Sequence, residues 1–192
     1  LTIEVANKMR EADHAANAIK VQSDLASAQL SLKEEFTQDP NDNANHVTKY
    51  NERMQQTKEQ LLGGITDPVS RNQLAQFVDK SINDTRLDIQ HLSTTQRMNI
   101  NLSNGLSAAQ MDYDAGNWQE GNAKVSIMIG TGLLDPMRGQ SIIDSKTKES
   151  KLNAIKGMIA ADPANTRAIA LDPANGLNHA DTVEMIKFGN QL

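Results

Sequence analysis

The chain is 192 residues long, 38% hydrophobic, 22% charged and only 3% aromatic, and it contains no cysteine. That removes disulfides, thiolate zinc sites and thiol nucleophiles together. The net charge of -5 argues against a general nucleic-acid binder, which needs a basic face to release counterions. Neither half compensates: up to Gln96 there are 10 basic and 14 acidic residues, and beyond it 9 and 10.

The apolar residues keep a regular spacing over long stretches, which is not the pattern of a disordered chain. Leu1 to Arg10 mixes charged with apolar residues and has no secretory h-region. With Leu rather than Met in first place, the sequence reads as part of something longer. The longest nearly apolar run, Val125 to Leu134, contains two glycines and is half the length of about 20 residues that a membrane helix needs. No transmembrane segment is expected.

All five prolines follow an aspartate: Asp39-Pro40, Asp67-Pro68, Asp135-Pro136, Asp162-Pro163 and Asp172-Pro173. Asp can accept from the free amides of a helix start, and Pro suits the first helical position, where its missing N–H needs no partner. Each pair therefore marks a turn that opens a helix, with Asp39, Asp67 and Asp162 expected as N-caps.

The first helix is expected from about Thr2 to Thr37. Val5, Met9, Ala12, Ala16, Ile19, Ser23, Ala26 and Leu30 form one stripe at alternating steps of four and three. A second row, Ala18, Leu25, Leu32 and Phe36, takes over toward the end. A second helix, about Asn43 to Leu62, repeats the rhythm in Val47, Tyr50, Met54, Thr57 and Leu61, and Gly63-Gly64 stops it. The longest helix runs from Val69 to about Ala115, about 70 Å at 1.5 Å per residue. Its stripe passes through Leu74, Val78, Ser81, Thr85, Leu92, Thr95 and Asn99 to Leu102, Leu106, Ala109 and Tyr113. The polar members suggest a bend or break between Asn99 and Gly105. Gly116 ends this helix, and Asn117 with Glu120 reads as a capping-box variant that starts another at Trp118. Shorter helices follow, from about Ser145 to Ala161, Ala164 to Leu171 and Asn178 to Gly189. No stretch alternates with period two. The fold expected is all-α: an elongated bundle of long antiparallel helices over residues 1–134, then a small cluster of short helices over residues 135–192.

Few residues suggest chemistry. His14, His46, His91 and His179 are scattered, and none has the carboxylate or His partner of a helical metal site. Asp112 and Asp114, two apart on a helix, point in different directions. Gly130-Thr131-Gly132 lacks the strand and spacing of a nucleotide-binding loop and reads as a helix terminus before Asp135-Pro136. Lys146, Lys148, Lys151 and Lys156, with Glu149 among them, form a basic face best read as solvated. Glu149-Ser150 superficially resembles the catalytic Glu-Ser of lytic transglycosylases, where a Glu protonates the glycosidic oxygen. The downstream Gly157-Met158-Ile159-Ala160 lacks the rest of that pattern. No catalytic, cofactor-binding or metal-ligating residue is expected, and no cofactor.

In order of features the chain resembles the helical region of internal virion proteins, or ejection proteins, of short-tailed bacteriophages and prophages. The resemblance runs through Ala6-Asn7-Lys8 to Asp13 and the Ala/Leu/Gln-rich helix ending near Phe36-Thr37-Gln38-Asp39-Pro40. It continues in Tyr50-Asn51-Glu52-Arg53 with Leu61-Leu62, in Asp67 to Phe77 with Arg71, and in the long helix with Arg86, His91 and Gln96. It ends in Ser150-Lys151-Leu152-Asn153-Ala154-Ile155 leading to Asp162-Pro163-Ala164. The likeness lies in pattern over nearly the whole length, and it carries over no site residues. It implies a non-enzymatic structural and assembly segment of a larger protein, packaged in the capsid interior and released to help DNA cross the cell envelope. Its partners would be copies of itself or other virion proteins, with no small-molecule substrate and no sequence-specific nucleic-acid binding. The alternative is a bacterial helical interaction module: a secreted effector piece, an adaptor or an appendage subunit.

Overall fold

The computed structural model describes residues 2–192 and is all-α, without a strand among the described residues. Its helices are α1 (Ile3–Gln38), α2 (His46–Gly63), α3 (Pro68–Asp114), α4 (Trp118–Gly130), α5 (Pro136–Ala161), α6 (Thr166–Leu171) and α7 (His179–Gly189). The chain divides into two compact units, Leu1–Ile100 and Asn101–Leu192. The division falls inside α3, whose hydrogen bonding runs unbroken.

Each Asp-Pro pair does open a helical turn, but the turns are of two kinds. Asp67 and Asp135 start α-helices, and each caps the amide three residues on: Ser70 N–H to Asp67 Oδ2 at 2.8 Å and Arg138 N–H to Asp135 Oδ1 at 3.0 Å. Pro40–Asn45, Pro163–Asn165 and Pro173–Asn175 are 3-10 turns instead. There Asp172 caps Ala174 N–H, whereas Asp39 and Asp162 cap no backbone amide, which corrects the N-cap expectation at both. Asp162 Oδ2 accepts from the Asn165 side chain, satisfying itself within the turn. Asp162-Pro163-Ala164-Asn165 and Asp172-Pro173-Ala174-Asn175 are the same four residues folded into the same turn.

The first unit is a three-helix bundle. Glu35 pairs with Arg53, and Lys58 pairs with Asp79 at 2.5 Å. Gln29 reaches Ser81, and Gln96 reaches Phe36. These contacts place α2 antiparallel to both α1 and α3, which run parallel to each other. The core holds Val21, Leu25, Leu32 and Phe36 from α1, Tyr50, Met54 and Leu62 from α2, and Leu74, Val78 and Ile89 from α3. The α1 row that faces this core is therefore the one through Leu25 and Leu32. The Val5–Leu30 stripe is exposed at all its positions. On α3 the inner face passes through Ile89 and Gln96, leaving Thr95 and Asn99 outside.

The second unit is built on α5, which begins at Pro136 rather than near Ser145 and serves two clusters. One joins Ala109 of α3 with Val125 and Met128 of α4, Leu134, and the flanking Ile142 and Ile143. The other joins Ile155 and Ile159 with Ala170 of α6 and Met185 of α7. Gly139 does not interrupt α5; a Cβ there would run into the side chain of Ile129. Gly116 and Gly132, at φ +80° and +74°, end α3 and α4 in paired turn bonds. Asn117 N–H donates to Asp112 and Gly116 N–H to Tyr113; Leu133 N–H donates to Met128 and Gly132 N–H to Ile129. Asn117 precedes α4 as expected but makes no side-chain cap bond.

Candidate functional site

Two surfaces stand out, an open groove in the second unit and the outer face of α1 in the first. The groove, about 420 Å³, lies where the turn after α3 meets the middle of α5. Tyr113, Asp114 and Gly116 form one wall and Lys146, Glu149, Ser150 and Asn153 the other. A hydrogen-bonded chain anchors Tyr113 to α5: Tyr113 O–H donates to Asn122 Oδ1 and Asn122 Nδ2 donates to Thr147, both at 2.8 Å. Burial, with the Asp112 charge behind it, pushes the Tyr113 phenol upward.

The groove's Lys146, Glu149 and Asp114 each already have a side-chain partner. The Lys146 ammonium donates to Glu149 Oε2 at 3.0 Å and lies 5.8 Å from the centre of the Tyr113 ring. Asp114 Oδ1 accepts from Gln110 at 2.6 Å. Glu149 is 57% exposed, without the apolar shelter that a glycosidase's general acid uses. Ser150 lies beside it, and no histidine is among the lining residues to act as its base. The arrangement can hydrogen-bond a polar ligand weakly; it does not assemble a nucleophile, a base and an oxyanion site.

The remaining sequence candidates separate in space. Lys148 pairs with Asp181 at 3.1 Å and Lys156 with Glu184 at 3.1 Å, so two of the four lysines are paired with α7. Asp112 pairs with Lys124. His91 and His179 are exposed. His46 is buried and stacks on Phe36, ring centres 4.5 Å apart, with both its nitrogens unpartnered. His14 lies on a shallow surface with Arg10, Asp67 and Ser70. The Ser70 hydroxyl and then its amide hold the Asp67 carboxyl below the usual range. No group of three metal-ligating side chains occurs among the described residues, and no described helix is long and apolar enough to cross a membrane.

The outer face of α1 is the more distinctive surface. Met9 is 57%, Ile19 68% and Leu30 58% exposed, on a helix whose opposite side is buried from Val21 to Phe36. The spacing of these residues was legible in the sequence; that they face outward was not. No family model, curated protein or solved structure matches the chain.

Proposed function

We propose that this chain is a non-enzymatic structural segment of a phage internal virion protein, held in the capsid interior and working by protein association during DNA delivery. The observation that carries the association is the outer face of α1, an apolar stripe left open opposite the core-facing row of Val21, Leu25 and Leu32. A contiguous exposed apolar surface of this kind marks a protein-binding face. The phage assignment rests on the resemblance in the order of helices and motifs. The groove beside Glu149 takes no part: its carboxylate and amine are spent on each other.

Mass spectrometry of purified particles from the phage or prophage that encodes the sequence tests this reading. Its peptides should be present in the particle, and deletion should leave particles that adsorb but fail to transfer DNA. Absence from particles would favour the bacterial interaction module instead. Peptidoglycan digestion tests the non-enzymatic part: the chain should release no muropeptides, and activity abolished by Glu149→Gln would overturn it.

A further inference from the structure

The outer stripe of α1 follows the 3.5-residue repeat of a coiled-coil seam without interruption for four heptads. Met9, Ala16, Ser23 and Leu30 take position a; Val5, Ala12, Ile19 and Ala26 take position d. Of the residues that α1 buries in its own bundle, Val21, Leu25 and Leu32 fall at f and c on the opposite side, and Phe36 lies beyond the last seam residue. The seam can therefore be approached without displacing α2 or α3.

We propose that this seam pairs with the same seam of a second copy, in antiparallel orientation. The proposal rests on the assembly reading above and names its partner. With Ala16 of one copy opposite Ile19 of the other, all positions of the stripe overlap. The layers are then Val5 with Leu30, Met9 with Ala26, Ala12 with Ser23 and Ala16 with Ile19, each formed twice about a two-fold axis. Met9 and Ile19 each meet an alanine, Val5 and Leu30 close the two ends, and the small Ala12–Ser23 layer is flanked on each side by a layer that holds a bulky side chain. A parallel pairing in register would stack Met on Met and Ile on Ile, and would set Ala on Ala in two successive layers. Close packing disfavours both the crowding and the voids.

Charge agrees with the antiparallel arrangement. On the e side the charged residues are Asp13 and Lys20, both exposed. Antiparallel pairing brings Asp13 of each copy beside Lys20 of the other. On the g side Ala15 meets Gln22, and Lys8 approaches Gln29, whose side chain is held by Tyr50 and Ser81 of its own bundle, so like charges never face each other. A parallel pair would also be tolerated electrostatically, with Lys8 beside Asp13; side-chain volume selects the orientation.

Sedimentation equilibrium of the full chain should find a reversible dimer, and Ile19→Glu should abolish it without changing the helical circular dichroism or the melt. Asp13→Lys should weaken the dimer about tenfold, because two attractive contacts become repulsive. Adding Lys20→Asp to Asp13→Lys should restore it, while adding Lys8→Asp should not. The chain's lack of cysteine makes a direct test clean. A mixture of Ala12→Cys and Ser23→Cys chains should form a disulfide between the two variants, whereas Ala12→Cys alone should not cross-link. A chain that stays monomeric at the highest concentration reached, a dimer indifferent to Ile19→Glu, or rescue by Lys8→Asp would each overturn the proposal. A monomer that is nonetheless packaged in particles would sink self-pairing and leave the assembly reading standing; a dimer absent from particles would do the reverse.

Discussion

Asp67 and Asp39 present the same dipeptide with different consequences. Asp67 accepts from the Ser70 amide at the start of α3, and Asp39 leaves its turn uncapped. Asp67→Ala should therefore lower the melting temperature, and Asp39→Ala should change it little. Asp135→Ala, at the other α-helical cap, should cost about 0.5–2 kcal/mol in denaturant melts. The depressed Asp67 carboxyl also has a pH signature. Its contribution is present above the unfolded carboxyl value of about 3.9 and is lost as pH falls through the lower folded value. Asp67→Asn should flatten the stability curve in that acid window. Tyr50 acts at the other end of the scale. Burial raises its phenol, so its contribution holds below about pH 10 and is lost as pH rises through the folded value. Its O–H donates to the Ile82 carbonyl at 3.1 Å and accepts from Gln29. Tyr50→Phe should cost about 0.5–1.5 kcal/mol near neutrality and remove its share of the alkaline loss.

At the scale of elements, α1 divides its apolar residues between two faces, and the two should answer mutation very differently. Leu25→Ala, deep in the bundle at 1% exposure, should cost about 2–5 kcal/mol. Ile19→Ala, on the outer stripe, should fall within about 0.5 kcal/mol in a dilute monomer. Guanidinium melts of the two variants would check the contrast, and equal losses would mean that the outer stripe is packed. The helical period of α1 was legible in the sequence because one row repeats at steps of four and three and the other at whole heptads ending in a step of four. Which row faces inward was not, since period alone does not choose between two apolar faces. The larger side chains, Leu25, Leu32 and Phe36, take the core because burial gains about 25 cal/mol per Å². The ends of α3 and α4 were legible for a local reason, a glycine free to adopt positive φ. The start of α5 was legible in Asp135-Pro136, although apolar spacing placed that helix only from about Ser145; Gly139 lies inside it with the Ile129 side chain packed against it. The groove beside Glu149 was hidden: only tertiary packing brings the turn at Gly116 to α5. Gly121 on α4 makes the same point as Gly139, with a Cβ there 2.6 Å from the Tyr113 ring. Gly121→Ala should cost about 1–3 kcal/mol by forcing that ring aside, and should break the Tyr113–Asn122 bond, visible in near-ultraviolet circular dichroism.

For the molecule as a whole, the decisive feature is that each unit owns a core. Every buried residue of the first cluster lies between Val21 and Ile89, inside Leu1–Ile100. The polar contacts that set its topology are internal as well. Gln29 bridges Tyr50 and Ser81 from the middle of α1, and Gln96 donates to the Phe36 carbonyl at 2.8 Å near the unit's end. None of these needs a residue beyond Ile100. Cutting α3 there exposes a helix end and frees its last carbonyls to water, at the cost of a frayed turn rather than a lost core. A chain ending at Ile100 should therefore stay helical and unfold in one cooperative transition. Its melt should still respond to Leu25→Ala and Tyr50→Phe as the full chain does. Ending the chain earlier, at His91, should be far more damaging, because it removes the Gln96 bond that ties α3 to the end of α1. Circular dichroism melts of the two truncations decide the matter. A fragment ending at Ile100 that melts without a transition would mean that the first core depends on the second unit.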